Sequence, residues 1–228
     1  MAGQDVFVPD PDIDAAGDLA ELAAELARPL LSGPDAVAHE TPWRGAGGSA
    51  LAVAKPVELD EVREVVRWAR RTRTRILPQG AVTGLVGAST PPATGPPPLV
   101  LSTDALDGRL DIDPGDAVAI VDAGVRLSAL NGKAADLGLE LPIDLAADPS
   151  VGAMVATNTG GSRVLAHGDM SRHVLGIQAV IANPDATVIG NLSGLRKDNT
   201  GPDATKLLIG SGGAFGVITA VAVALTPV

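Results

Sequence analysis

Apolar residues recur every three or four positions in two stretches of the first third of the chain. Leucines at this spacing predict a helix in residues 17–31. Val62, Val65 and Val66 predict a second helix that begins at Pro56, flanked by short buried strands at 51–54 and 75–78. A strand, a helix and a strand in this span have the length of a βαβ unit.

The rest of the chain is richer in β-branched runs. They predict strands at 99–102, 117–125, 174–182, 187–190 and 217–225, and one helix at 127–138 that ends at Gly138. The pattern predicts an α+β fold with a small βαβ-containing lobe and a larger strand-rich lobe with flanking helices. We expect an N-terminal helical extension at 1–37 and lobes at about 38–103 and 104–228.

Composition narrows the possible functions. Hydrophobic residues make up 46% of the 228, which is enough for a core, but only 2% are aromatic, so a site cannot stack a ligand on many rings. A net charge of −10 argues against nucleic acid or an anionic membrane as partner. Without cysteine there is no disulfide, thiolate ligand or cysteine nucleophile, and the three histidines do not have metal-site spacing. We therefore expect no metal site.

The N-terminus is acidic and interrupted by proline, unlike a signal peptide, and no apolar run reaches the ~20 residues that span a bilayer. A cytoplasmic protein without a transmembrane segment is expected from these two features.

Glycine is concentrated in three separate segments. The first, ILPQGAVTGLVGAS (76–89), follows a predicted strand, and the others lie at 148–161 and at 194–219. Glycines allow a left-handed backbone and close approach, so such loops can present N–H groups to a phosphate. Taken alone, each segment favours an ordinary structural turn. Three such segments on separate loops favour a binding site. A Walker A loop is excluded because no Gly-Lys-Ser/Thr occurs, and GSGGAFG (210–216) has Phe215 where a dinucleotide fingerprint needs its third glycine.

The sequences of these segments, and their order along the chain, resemble those of a known family. Four short sequences occur in a fixed order over roughly residues 40–228: PQGAVTGLVGA, SVGAMVATNTGG, KDNTGPD and GSGGAFGVIT. The chain resembles the FAD-binding domain of the vanillyl-alcohol-oxidase-type flavoproteins, also called the PCMH type. The similar branch is the D-lactate, glycolate and D-2-hydroxyglutarate dehydrogenase group.

The resemblance implies a set of FAD contacts. The first segment would hold the pyrophosphate through backbone amides, the second would follow the ribityl chain and isoalloxazine, and the third would lie near the adenosine half. Non-covalent FAD is implied, because no histidine lies in the first loop, where the family often attaches flavin. The expected cofactor-binding residues are Gln79, Gly80, Ala81, Val82, Thr83, Gly84, Leu85, Val86, Gly87, Ser89, Ser150, Gly152, Asn158, Gly160, Gly161, Val217 and Ile218.

The resemblance also implies an activity, which is two-electron transfer from the α-carbon of a 2-hydroxy acid to FAD. No catalytic base is assigned, because the family's substrate cap and C-terminal region are not matched here. The alternative is a truncated or degenerate flavin domain, or one subunit of a split enzyme completed by a cap-bearing partner, with an electron-acceptor protein as a further possible partner. Ala81 and Ala88 replace usual glycines and are expected to strain the loop, and His167 is the histidine expected nearest the flavin.

Overall fold

The computed structural model describes residues 15–196 and 203–228, which form two sheets with flanking helices. The third glycine-rich segment therefore falls partly outside the described residues, at 197–202. The α-helices are α1 (Ala15–Ala24), α2 (Val37–Glu40), α3 (Leu59–Arg71), α4 (Leu127–Ala135), α5 (Val151–Ala156), α6 (Val164–His167) and α7 (Met170–His173). Short 3-10 helices lie at Gly33–Ala36, Thr103–Ala105 and Ala204–Leu208.

The strands of the first sheet are β1 (Ala52–Ala54), β2 (Ile76–Gln79) and β3 (Leu99–Ser102). The remaining strands are β4 (Leu110–Asp113), β5 (Val118–Asp122), β6 (Leu139–Glu140), β7 (Val174–Val180), β8 (Val188–Asn191), β9 (Val217–Ala224) and β10 (Thr226–Pro227). In the described residues no helix is long and apolar enough to cross a bilayer.

The first sheet is parallel and has the order β1-β3-β2. The predicted β1-α3-β2 unit exists, but its two strands do not pair, because β3 lies between them. Alternation along the strands sends Ala52 and Ala54 towards the apolar face of α3, whereas Val53 and Val100 face Ala36 on the other side. Burial on both faces explains why these strands are short apolar runs.

The second sheet is antiparallel, in the order β4-β5-β9-β7-β8, and its core cluster includes residues of α4 and α5. Strand β9 is central and buried along its whole length. The small sheet and the large sheet meet around α3, because Val180, Ala186 and Val217 belong to the same apolar cluster as its valines.

The sequence pattern missed one helix that matters for the site. Residues 151–156 form α5, where small residues were compatible with a tight turn between strands. The first helix ends at Ala24 and the helix at Leu127 ends at Ala135, each earlier than predicted. Three short strands, β4, β6 and β10, were not predicted.

Candidate functional site

The three glycine-rich segments meet at one cleft between the two sheets. The cleft holds about 580 Å³ of empty space, part of it open to solvent. Its walls come from the end of β2 and the loop after it, from α5, and from the turn that leads into β9. The lining residues are Pro78, Gln79, Gly80, Ala88, Ser89, Thr103, Gly152, Ala153, Ala156, Thr157, Gly212, Gly213, Gly216, Val217 and Ile218.

The loop from Ala81 to Ser89 presents unused backbone donors. Within the described part of the chain, none of its N–H groups donates to an intramolecular acceptor. Val82 (φ 55°) and Gly87 (φ 42°) adopt the left-handed region, a backbone conformation that occurs in anion-binding nests. The loop therefore has the donor chemistry of an anion cradle.

The expectation that Ala81 and Ala88 strain this loop is wrong. Neither residue has a positive φ, so an alanine fits both positions without conformational cost. The strained residue is Val82, a β-branched residue in a region that such side chains rarely occupy. The glycine-to-alanine differences therefore do not by themselves close the site.

Two grooves extend the cleft at either end. On one side, a groove of about 1030 Å³ lies between the 80–89 loop and residues 145–149, and shares Gly80, Ser89, Ala153 and Thr157 with the cleft. On the other side, a groove of about 1130 Å³ runs along the end of α3 and shares Pro78, Gly213, Gly216 and Val217 with the cleft. The three cavities adjoin through these shared residues, and together we call them the trough.

Ser150 supplies a buried polar atom beside the loop. Its side chain is fully buried, its Oγ has no hydrogen-bond partner, and it does not cap α5 although it stands at the N-cap position. A Cβ added to Gly80 would lie 2.5 Å from this oxygen and 2.7 Å from Ala153 Cβ, so the loop begins in direct contact with α5. An unsatisfied hydroxyl under a cradle of free N–H groups fits a phosphorylated ligand.

Several residues expected at the cofactor shape the site instead of lining these three cavities. Asn158 (φ 48°) uses both ends of its amide, because Nδ2 donates to Asp169 Oδ2 (2.9 Å) and Oδ1 accepts from Ser171 N (2.9 Å). The Ser171 hydroxyl also donates to Asp169 Oδ1 (2.5 Å), and this bond is the main cause that lowers the pKa of Asp169. The Asn158 side chain thus holds the end of α5 to α7.

Four more of the expected residues are absent from the lining of the three cavities: Gly87, Ser150, Gly160 and Gly161. Gly161 (φ 136°) passes so close to Asp144 that an added Cβ would lie 2.7 Å from the Asp144 carbonyl oxygen. Gly152 does line the cleft, but its added Cβ would lie 2.5 Å from Ala123 Cβ, so it also sets the distance between α5 and β5. The other expected residues, Gln79–Val86, Ser89, Val217 and Ile218, all line the trough.

Sequence reasoning missed Thr103, Thr157 and Ala153. Thr103 follows β3, lines the cleft, and donates from Oγ1 to Gln79 O (3.3 Å). Its position one residue after a predicted parallel strand was the available signal, because the ends of neighbouring parallel strands meet at one edge of a sheet.

The histidines lie outside the cavity linings. His173 is buried with Nε2 unpartnered, and burial lowers its pKa although a hydrogen bond with the backbone of His167 opposes that shift. No cluster of three or more potential metal ligands occurs among the described residues.

Comparison with known proteins agrees with this geometry. The FAD_binding_4 family, described as an FAD binding domain, matches residues 50–190. A mitochondrial D-2-hydroxyglutarate dehydrogenase of Bos taurus is 40% identical over 182 residues, covering 79% of this chain and 32% of that protein. A putative mitochondrial D-lactate dehydrogenase of Schizosaccharomyces pombe is 37% identical over 178 residues, covering 77% of this chain and 33% of that protein.

Solved structures show the same fold. An alkyldihydroxyacetonephosphate synthase superposes with a TM-score of 0.81 at 19% identity, covering 98% of this chain and 42% of that one. The chain spans about a third of the length of the curated relatives it matches, at 32% and 33%. The matched residues include the anion cradle and α5, and the chain belongs to the FAD-binding domain family, with FAD as its cofactor.

Proposed function

We propose that this chain holds FAD non-covalently and is the flavin-binding part of an oxidoreductase that acts on a 2-hydroxy acid. The observation that carries the proposal is the run of free N–H groups from Ala81 to Ser89, whose end at Ala88 and Ser89 lines the cleft where all three glycine-rich segments meet. Backbone donors can bind a pyrophosphate without lysine. In the described residues, no lysine or arginine lines the cleft or the groove beside residues 145–149.

Each part of the trough suits a different part of FAD. The loop would hold the pyrophosphate. The Ser150 hydroxyl lies behind Gly80, outside the cavity linings, and would donate to the ligand after a small movement of the loop. The groove between this loop and residues 145–149 has apolar walls, including Leu145 and Met154, and suits the isoalloxazine. The turn at Gly213–Ile218 suits the adenosine half.

Bound FAD supplies a two-electron acceptor at N5, and the chain's own part is to bind, orient and shield it. Among the described residues, no histidine, lysine or acid lines the cleft or the groove that suits the isoalloxazine. A proton-abstracting group and a carboxylate-binding group must therefore come from elsewhere.

The substrate class rests on the relatives, which are named for D-2-hydroxyglutarate and D-lactate. We propose that a cap-bearing region or subunit completes the site over the isoalloxazine groove. Leu85 and Val86 are 67% and 79% exposed at the rim of this groove, and Leu145 is also exposed there, which suits an apolar docking edge. The electron acceptor and a cytoplasmic location remain predictions.

The test is a titration of the purified chain with FAD, followed by anaerobic addition of a hydroxy acid. We expect flavin bands near ~370 and ~450 nm that survive desalting and leave the protein on heating. FAD at 100 times its Kd should stabilise the fold by about 2.7 kcal/mol. A protein that neither retains flavin nor gains stability would overturn the proposal.

The substrate arm uses D-2-hydroxyglutarate and D-lactate, with their L-enantiomers as matched controls. We expect the ~450 nm band to bleach with a D-acid only when a cap-bearing partner is present. Bleaching by the isolated chain would contradict the need for a partner. No bleaching by either acid with the partner would contradict the substrate class and favour a non-catalytic flavin domain.

A further inference from the structure

The side chain of Gln79 closes the glycine-rich loop. Gln79 is the last residue of β2 and is buried. Its Nε2 donates to the backbone oxygen of Ser89 (2.5 Å), which is the far end of the loop, and to the backbone oxygen of His39 (2.9 Å). One amide group therefore joins the end of β2, just before the cradle, to Ser89 at the far end of the cradle.

The orientation of the Gln79 amide determines which ring nitrogen of His39 carries a proton. Nε2 faces two carbonyl oxygens, which only accept, so this end of the amide must be the NH₂ group. Oε1 is then the atom that faces His39 Nδ1 at 2.5 Å. Because a carbonyl oxygen cannot donate, His39 Nδ1 must carry the proton. The contact is directional, and a residue without a donor at this place cannot make it.

His39 comes from a segment that precedes the matched family domain, which begins at residue 50. It lies on α2 and is only 9% exposed. The segment is fastened after His39, because Ala50 N donates to Glu40 Oε1 (2.7 Å) and Gly48 N donates to Pro91 O (2.8 Å). The chain before the domain thus wraps the outer side of the residues that end the loop.

We propose that His39 is a positioning residue for the FAD pyrophosphate site and acts through Gln79. Its Nδ1–H fixes the amide of Gln79, which in turn fixes the distance between the two ends of the loop. A cradle of N–H groups binds an anion well only when it is ordered in advance, since ordering at the moment of binding lowers affinity. This inference rests on the proposed binding of FAD at this loop.

Replacing His39 tests whether its contact with Gln79 orders the loop that ends at Ser89. In His39→Leu the buried Oε1 of Gln79 loses its donor, whereas in His39→Asn the amide Nδ2 can occupy the place of Nδ1. Thr41→Ala is the matched control, because it removes a side-chain hydrogen bond to Val37 O (2.8 Å) in the same segment without touching Gln79. We expect His39→Leu to weaken FAD binding about tenfold, because the loop must then be ordered at the moment of binding.

Affinity is measured by quenching of flavin fluorescence and by competition with ADP, which carries the pyrophosphate without the flavin ring. His39→Leu should lose affinity for both, and His39→Asn and Thr41→Ala should stay within about threefold of the wild type. An equal loss in His39→Asn and His39→Leu, or no loss in either, would overturn the role of the Nδ1 donor.

A second measurement needs no flavin. The exposed tip at Leu85–Val86 is a site for thermolysin, and a loop whose ends are not held should be cut several-fold faster in His39→Leu than in the wild type or His39→Asn. Equal cutting in all three would contradict the inference. A wild type that fails to bind FAD would overturn the proposed function, while the cutting rates would still decide whether His39 orders the loop.

Discussion

At the scale of single residues, the site combines free donors with close contacts that leave no room for larger side chains. Gly80 begins the loop against Ser150 and Ala153, and Ser150 keeps its hydroxyl buried without a partner. A buried unsatisfied hydroxyl costs stability, roughly 1–3 kcal/mol, and such a cost in a native fold calls for a functional reason. Binding of a ligand that accepts the proton would provide one.

The variant Ser150→Ala separates folding from binding at this position. Without FAD, we expect its free energy of unfolding to equal or exceed that of the wild type by up to about 1 kcal/mol, since an unpaired polar atom is removed. Its affinity for FAD should fall five- to tenfold, by about 1 kcal/mol. Denaturant unfolding and fluorescence titration measure the two quantities.

Ser162→Ala is the control for this prediction, because Ser162 is exposed and its side chain makes no hydrogen bond in the described residues. It should change neither quantity. An unchanged FAD affinity in Ser150→Ala would show that the hydroxyl does not reach the cofactor and that Ser150 is held there by packing alone.

At the scale of elements, α5 is the part of the site that the sequence pattern did not predict. It is six residues long and consists of small and apolar residues, too short for a helical period to show. Hydrogen bonds hold both ends of α5. At its start, Gly152 N donates to Ala123 O (2.9 Å). At its end, Val155 O accepts from Gly210 N (3.0 Å) and Ala156 O accepts from Gly212 N (2.7 Å). These contacts come from residues distant in sequence.

The elements that could be predicted share a local cause. Helix α3 has a continuous apolar stripe, and β3 and β9 are apolar except for Ser102 and Thr219. What could not be predicted depends on tertiary contacts, such as the insertion of β3 between β1 and β2 or the amide of Asn158 turning to Asp169. The resemblance located the three segments, but it could not say which glycines bind and which only allow close packing.

Gly152 gives a test of that distinction, with Gly132 as its matched control. Gly152→Ala should destabilise the protein by roughly 1–3 kcal/mol, because its methyl group would overlap Ala123 and push α5 from β5. Gly132 lies in α4 with nothing within 4 Å of an added Cβ, so Gly132→Ala should stabilise by about 0.5–1 kcal/mol. Urea unfolding measures both, and equal effects would contradict a packing role for Gly152.

At the scale of the whole molecule, ion pairs connect the two sheets behind the cleft. Asp104, after β3, accepts from Arg126 Nη2 (2.5 Å) and lies 3.5 Å from Lys55 Nζ. Arg126 Nη1 also donates to Asp148 O (3.0 Å), just before Ser150. All three charged side chains are partly exposed, so their net contribution to stability is small, and their effect is to orient the 148–152 segment relative to the first sheet.

A different buried group, His173, contributes a dependence of stability on pH below 6.5. Burial lowers the pKa of His173 in the folded protein below the ordinary 6.5, and the charges of His167 and Arg172 lower it further. The hydrogen bond with the backbone of His167 and the charge of Asp169 oppose this shift. As pH falls below 6.5, the unfolded chain therefore binds a proton before the folded one does, and stability decreases. The stabilising contribution is complete above 6.5 and is lost as pH falls through the folded pKa.

His173→Gln should remove this dependence, because glutamine does not titrate. Urea unfolding at a series of pH values should give a wild-type free energy that declines below pH 6.5 and a flatter curve for the variant. Ser171→Ala provides the contrast. It removes the bond that most lowers the pKa of Asp169, so it should lower stability by a constant amount above the ordinary 3.8 of that carboxyl group and leave the slope between neutrality and pH 5 unchanged. Its difference from the wild type should shrink only as pH falls below 3.8. If His173→Gln kept the wild-type slope between neutrality and pH 5, burial of a neutral imidazole would not be its cause, and the acidic groups around the large sheet would have to be.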